Sequence, residues 1–389
     1  MRELTRSQEI GLALSCAVVT ANAYYIHPII GEVADHFGVG HSEIGIVPAL
    51  NQIALAIGIF FLLPLGDRFS NRSLTILFVA GQTACLALMT LAEGFLLFTL
   101  GSTLLGFVTI APYLLPAYAS KRVPPERLGH VTALLTAGVI FGILVARVGA
   151  GVVTEYFGWR TVYWIATGAM AVTMLLLPRL MEGRASERTE ATPYLALLSS
   201  LFALLKSHRA IVLSGVIQAF NFGAFIALWL GLALHLTSAE MGYGVDTVGY
   251  LAAIAAVSVI STPRLGQWAD KVGPYRARAV FAVIQMAGLA LFWPLGYSLW
   301  GLVVPLVLAN LVGPGIDVAG RMTFLSLAPD LRTRLTTIYI VLMFTGGGLG
   351  SLLGTFSYDH FGWPGTCVLL LVMSGALTAL SIESLKRQA

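Results

Sequence analysis

Twelve long apolar runs, separated by short breaks of polar residues, glycine or proline, occupy almost the whole chain at roughly 9–30, 43–65, 73–92, 96–119, 130–154, 160–181, 210–235, 246–267, 277–295, 299–326, 334–356 and 365–385. A helix needs about 20 apolar residues to cross the ~30 Å hydrocarbon core of a bilayer, and no soluble domain of this length can bury twelve such runs. Charge agrees: 11% of the 389 residues are charged and 57% are hydrophobic, whereas soluble chains carry about a quarter charged residues. The chain is therefore read as an all-α integral membrane protein with twelve transmembrane helices and little left for any domain outside the lipid. MRELTR at the start is short and basic. The run behind it is too long, and too polar at Asn22 and His27, for a cleaved signal peptide, so it is taken as the first span. Cys16, Cys85 and Cys367 each sit in an apolar stretch without a CxxC pair, so neither a disulfide framework, a metal site nor any other cofactor is expected.

Basic residues set the orientation. With the N-terminus inside, the cytoplasmic connections hold nearly all of them, among them Arg2, Arg68, Arg72, Lys121, Arg127, Arg184, Arg188, Lys271, Arg276, Arg334 and Lys386, while the opposite face holds only Arg160. Glu32, Asp35, Glu43, Glu93, Glu155, Glu240, Asp246 and Asp359 fall in the outer loops. Both termini are placed in the cytoplasm, in a cell inner membrane. The formal net charge of +4 records this asymmetry, and no nucleic-acid partner is expected.

Four segments recur in order at a nearly constant offset. GDRFSNR around Asp67 returns as ADKVGPYR around Asp270, and VPPER at Pro125–Glu126 returns as LAPDLR at Pro329–Asp330. TEYFGW from Thr154 returns as YDHFGW from Tyr358, and LSCAVVTAN ending at Asn22 returns as LSGVIQAFN ending at Asn221. Each pair falls on one side of the membrane, which implies two parallel six-helix halves, 1–181 and 210–389, joined by a cytoplasmic linker over 182–209.

On these residues the chain resembles a twelve-helix major facilitator superfamily transporter over essentially its whole length. Pro64 to Arg72 is similar to that superfamily's G-x-L-A-D-R-x-G-R-K signature, with Leu63 and Ser70 where glycines are usual, and Gly266 to Arg276 is the better copy. Asn22 to Pro28, Phe157 to Arg160 and Phe344 to Gly354 add likeness to the arabinose-efflux-permease-like and drug/proton antiporter branch. Two features depart from the drug-antiporter pattern: Arg147 stands where that branch has a proline in the fifth span, and Ser102 where it commonly has an arginine in the fourth.

The duplicated loop predicts a gate. Asp67 can accept from the free N–H groups of a helix start and pair with Arg68 or Arg72, and Asp270 can do the same with Lys271 and Arg276. The alternative is a capped turn within a basic cluster. Gly346, Gly350 and Gly354, and likewise Gly138, Gly142, Ala146 and Ala150, place small residues on one helix face, either as a sliding contact or as static packing.

An ionisable group at mid-membrane costs roughly 2.5–3.5 kcal/mol on insertion scales, so Arg147, Asp317 and Arg321 mark the place to look for mechanism. Asp317 and Arg321 share a helix face at i and i+4, so two readings stand: a proton-coupling carboxylate beside a mobile partner, or a self-neutralised structural pair. Arg147 is a candidate contact for an anionic solute. Asn22, Tyr25, Gln52, Tyr113, Gln218, Asn221 and Trp229 complete the candidate cavity, with Asn22 and Asn221 as repeat equivalents, and His27 is placed near the outer end of the first span.

The resulting expectation is a secondary transporter, active as a monomer, that moves a small anionic or zwitterionic organic solute by alternating access. By resemblance it exports, driven by proton entry. An uncoupled facilitator, or an importer of a sugar or metabolite, is the transport alternative; a transport-dead sensor or receptor is the alternative of another kind. No enzyme is expected, because HExxH, GxSxG and Walker A patterns are absent.

Overall fold

A computed structural model describes residues 3–181, 193–207, 209–325 and 332–388; the side chains of Asp67, Pro125, Glu126, Leu325, Arg332 and Thr333 fall outside that description. So do Arg2, the linker residues 182–192 with His208, and the repeat pair Pro329–Asp330. Among the described residues every regular element is helical.

Ten helical runs are long and apolar enough to cross a membrane: His41–Gly66, Asn71–Leu91, Phe95–Ser120, Arg127–Phe157, Trp159–Leu180, Arg209–Leu236, Val245–Val272, Pro274–Leu295, Leu299–Phe324 and Arg334–Lys386. The last counts as two spans, because Gly362 breaks it with φ 60° and ψ −154°. The first span begins with Arg6–Ala21, a helix of 16 residues that opens on a reciprocal cap: the Thr5 hydroxyl accepts from the Gln8 N–H at 3.3 Å while the Gln8 side chain accepts from the Thr5 N–H at 3.0 Å. The twelve crossings are thereby complete, numbered here in chain order.

The first span differs from the continuous helix expected over 9–30. Its helix ends at Ala21, residues 22–29 form successive turns, and Ile30–Phe37 is a short second helix. Pro28 supplies a physical reason: it has no N–H to give to the carbonyl of residue 24, and its ring clashes there. The connection between the halves also holds more structure than a bare linker. Tyr194–Ser207 is a helix whose Leu198, Leu201 and Leu204 pack with Ile211 and Ile338 of the second half, while the Tyr194 hydroxyl donates to the Phe61 carbonyl of the first at 2.6 Å.

The FGW repeat has a backbone cause. Gly158 (φ 80°) ends the fifth span and starts the sixth, and Gly362 does the same between the eleventh and twelfth, in a region of φ that side chains with a Cβ avoid. Gly273, with φ 89°, makes the corresponding turn between spans eight and nine. Its counterpart Ser70 turns with φ −58° and needs no glycine.

The small-residue stripes pack inside each half. Gly138 and Gly142 lie on the backbone of Ala13 and Ala17, joining spans five and one, and Gly346 and Gly350 lie on Ala219 and Gly223, joining spans eleven and seven. Different glycines meet across the halves. A Cβ at Gly151 of span five would stand 2.8 Å from the Val245 carbonyl of span eight, and one at Gly348 of span eleven 3.0 Å from the Ala49 carbonyl of span two. Both contacts lie toward the face opposite the chain termini, called the far face below.

Two repeat-related carboxylates reinforce that face. Glu155, at the end of span five, accepts from the N–H of Val245, the first helical residue of span eight, at 2.9 Å. Asp359, at the end of span eleven, lies 3.8 Å from the ring of His41, the first helical residue of span two.

Candidate functional site

Arg147 is the most deeply placed charge at the meeting of the two halves. Span five carries it, with 2% of its surface exposed, and the turn that interrupts span one brings Tyr24 and His27 against it. Its guanidinium lies 3.1 Å from His27 Nδ1 and 5.5 Å from the Tyr24 ring centre. From the other half, span seven supplies Phe225 and Trp229, one helical turn apart, with ring centres 4.4 and 4.7 Å from the guanidinium carbon. Contacts of this kind between a cation and ring faces are worth ~0.5–2 kcal/mol each, of the same order as the cost of holding arginine at mid-membrane. No carboxylate pairs with Arg147 among the described residues.

Several buried polar atoms have no partner among the described residues, three of them in the Arg147 contact cluster. Among them are the Arg147 Nε, the His27 Nε2, the Trp229 Nε1, and both amide atoms of Asn22 and of Gln52, all on side chains at least nine-tenths buried. A buried polar atom without a partner costs about 1–3 kcal/mol, so these atoms call for a partner from outside the chain, water or ligand.

Asn22 and Asn221 are repeat equivalents, yet the structure uses them differently. Asn221 donates to Gln218 and to the Gly313 carbonyl, both at 3.1 Å, and accepts from Gln285 at 2.9 Å. This network ties spans seven, nine and ten together within the second half, whereas the Asn22 amide stands unpartnered. Tyr25 turns toward Tyr163 of span six, with ring centres 6.4 Å apart, and its neighbour Tyr24 faces Arg147 instead. Tyr113 meets Phe344 of the other half edge-on at 6.5 Å. Ser102 is buried and pairs with Asn51, which donates to its carbonyl at 2.7 Å.

A second group lies wholly in the second half. The Arg321 Nε donates to both Asp317 carboxylate oxygens at 3.0 and 3.1 Å, and the Tyr339 hydroxyl of span eleven donates to one of them at 2.9 Å. Gly320 leaves the room this needs: a Cβ there would stand 2.6 Å from that hydroxyl. Asp317 and Arg321 keep 26% and 31% of their side-chain surface exposed, so the carboxylate is both matched in charge and reachable.

The proposed gate residues do not gather in this structure. Arg72 donates to the Pro178 carbonyl of span six at 3.2 Å, inside its own half. Arg68, Asp270, Lys271 and Arg276 are exposed, with no ion pair among the described residues, and the Asp67 side chain lies outside them.

Two buried charges escaped the sequence reading. Glu9 is 2% exposed and accepts from Arg127 at 2.6 Å. Arg278 is fully buried and donates to the Ser214 and Ser384 hydroxyls, both at 2.8 Å. Each sits near a span end, where a charge reads as an orientation signal.

Two repeat-related helical halves that enclose buried ionisable groups where they meet define a membrane transporter of small solutes. The chain belongs to the Major Facilitator Superfamily, whose sequence pattern matches residues 12–327. It is 27% identical over 382 residues to the uncharacterized transporter YgaY of Escherichia coli O157:H7, covering 97% of this chain and 94% of that protein. It is 23% identical over 283 residues to the multidrug resistance protein MdtG of Salmonella typhimurium, covering 70% and 69%. Among solved structures, a bacterial homologue of the human lysosomal transporter Spinster shares the fold with a TM-score of 0.73 at 16% identity, covering 97% of this chain and 94% of that one.

Proposed function

We propose that the chain is a proton-coupled secondary transporter that exports a small organic solute across the cell inner membrane by alternating access, with both termini in the cytoplasm and a single copy as the working unit. The observation that carries this reading is the way the halves meet. Backbone-close contacts and two carboxylate clasps join them at the far face, while Arg68, Asp270, Lys271 and Arg276 of the duplicated loop stand at the terminal face without an ion pair among the described residues. With basic residues taken to mark the terminal face as cytoplasmic, the arrangement is read as the one closed toward the outside. Export draws support from the likeness to MdtG.

Asp317 is the proton carrier in this reading. Its carboxylate is accessible and is held by two donors that can leave it, Arg321 on its own helix and Tyr339 on the next span. The same contacts favour a second reading, an uncoupled facilitator in which Asp317 and Arg321 only neutralise each other.

Proteoliposomes with and without an imposed pH gradient decide between them. Under proton coupling, the gradient drives accumulation of the transported solute and Asp317→Asn abolishes that accumulation while leaving solute exchange at equal pH. Flux indifferent to the gradient and to Asp317→Asn is the facilitator's result.

A further inference from the structure

We propose that Arg147 and Trp229, with His27 orienting the guanidinium, form a docking site for a carboxylate, and that the solute is an organic monoanion with an apolar or aromatic body. The inference rests on reading the chain as a solute transporter only in calling the occupant a solute; the site itself is a statement about binding.

Hydrogen-bond polarity carries the step. An arginine N–H can only donate, so the 3.1 Å contact makes His27 Nδ1 the acceptor. A neutral imidazole accepting at Nδ1 carries its proton on Nε2, on the ring edge turned away from Arg147, and that N–H finds no acceptor among the described residues. The Arg147 Nε–H and the Trp229 indole N–H find none either. The Arg147 and Trp229 donors, on side chains exposed by no more than 2%, thus share one contact cluster without an acceptor between them among the described residues. The ring faces of Tyr24, Phe225 and Trp229 attract the guanidinium charge but do not accept from these N–H groups in place of an oxygen.

The complement of one positive charge and these donors is a planar group with one negative charge and several lone pairs. A carboxylate offers two oxygens with about four acceptor positions and matches a guanidinium in shape. A doubly charged phosphate would bring an uncompensated charge into the membrane, because Arg147 is the only cation in the cluster among the described residues. A cation would meet the Arg147 charge, and no carboxylate stands in the cluster among the described residues to offset it. The rings of Tyr24 and Phe225 fit an apolar or aromatic body, and the Asn22 amide two residues before Tyr24, unpartnered among the described residues, suits a polar substituent on it.

Occupancy would also reach both halves at once. Arg147 and His27 belong to the first half and Trp229 to the second, so one carboxylate spans the seam along which the halves rock.

The test uses the purified full chain in detergent and four acids, benzoate, 2-naphthoate, indole-3-acetate and octanoate, each beside its primary amide up to millimolar concentration. Thermal stabilisation and quenching of indole fluorescence read binding. At least one acid binds and its amide does not. Trp229→Phe, which keeps a ring against Arg147 and removes only the indole N–H, weakens that acid roughly tenfold, the loss of one hydrogen bond to a charged group; Arg147→Lys weakens it by at least as much. Trp164→Phe, at an exposed tryptophan outside the site, binds like the parent. Melting curves without ligand verify that each variant is folded. Failure of all four acids, equal binding of acid and amide, or unchanged acid affinity in Trp229→Phe overturns the proposal. Acid binding without flux in vesicles keeps the site and overturns the transport reading. Flux of a neutral or cationic solute that Arg147→Lys leaves unchanged keeps transport and overturns the site.

Discussion

At the scale of single residues, the legible part of the site was the part that is costly to place. Arg147, Asp317 and Arg321 stand out in any reading because a charge inside an apolar run needs a reason. Tyr24, Phe225 and Tyr339 do not stand out, since an aromatic in such a run is ordinary, and only the fold shows which ones face a charge. Arg278 escaped for the opposite reason. It follows Arg276 by two positions in a basic loop, and burial rather than sequence separates the two: Arg276 is exposed, whereas Arg278 is enclosed by Ser214 of span seven and Ser384 of span twelve. No carboxylate pairs with it among the described residues, so the hydroxyls bear its stabilisation. Ser384→Ala removes a hydrogen bond to a charged group and should lower stability by about 1.5–3 kcal/mol. Equilibrium unfolding of the purified protein measures this, and an unchanged midpoint would show that Arg278 is satisfied by other means.

Elements were legible wherever apolar length alone decides them, which is why the span positions agree closely with the runs of the sequence. They were less legible where backbone chemistry inside a run matters. The first span has enough apolar residues to cross unbroken, yet it turns at residues 22–29 ahead of Pro28, and that turn is what presents Tyr24 and His27 to Arg147. Its counterpart in span seven has no proline and stays helical through Asn221 and Trp229. Repeat symmetry therefore predicted a cavity-lining pair at Asn22 and Asn221, and the differing backbone left one amide unpartnered and the other fully engaged. The FGW junctions show the converse, a repeat kept because the backbone demands it. Gly158→Ala and Gly362→Ala each force a Cβ into a conformation open essentially only to glycine and should cost ~1–3 kcal/mol apiece. Gly168→Ala, inside span six with open space around it, is the matched control and should leave the unfolding midpoint in place or raise it.

For the whole molecule, the internal repeat disclosed two halves but not what holds them. Glu155 and Asp359 were visible as members of matching segments, yet their partners, a backbone N–H at Val245 and the ring of His41, carry no motif. Their equivalence appears only in three dimensions, where each carboxylate reaches the first helical residue of the opposite half's span. A negative charge at a helix start is worth about 0.3–1 kcal/mol, and the pairing with His41 adds to this when the ring is protonated. Together the two clasps then contribute on the order of 1–2 kcal/mol to the arrangement closed at the far face, which changes a two-state ratio by a factor of about 5–30. The double variant Glu155→Gln with Asp359→Asn should shift the population toward opening there by that factor. A cysteine at Val148, whose carbonyl lies against Gly249 of span eight at this seam, reports it in a background where Cys16, Cys85 and Cys367 are replaced. A membrane-impermeant thiol reagent added at the far face should label it correspondingly faster. Asp35→Asn removes an exposed far-face carboxylate outside either clasp and should leave the rate alone. Equal labelling in all three proteins would mean that the glycine contacts of spans two and eleven and of spans five and eight hold the far face closed without help from the carboxylates.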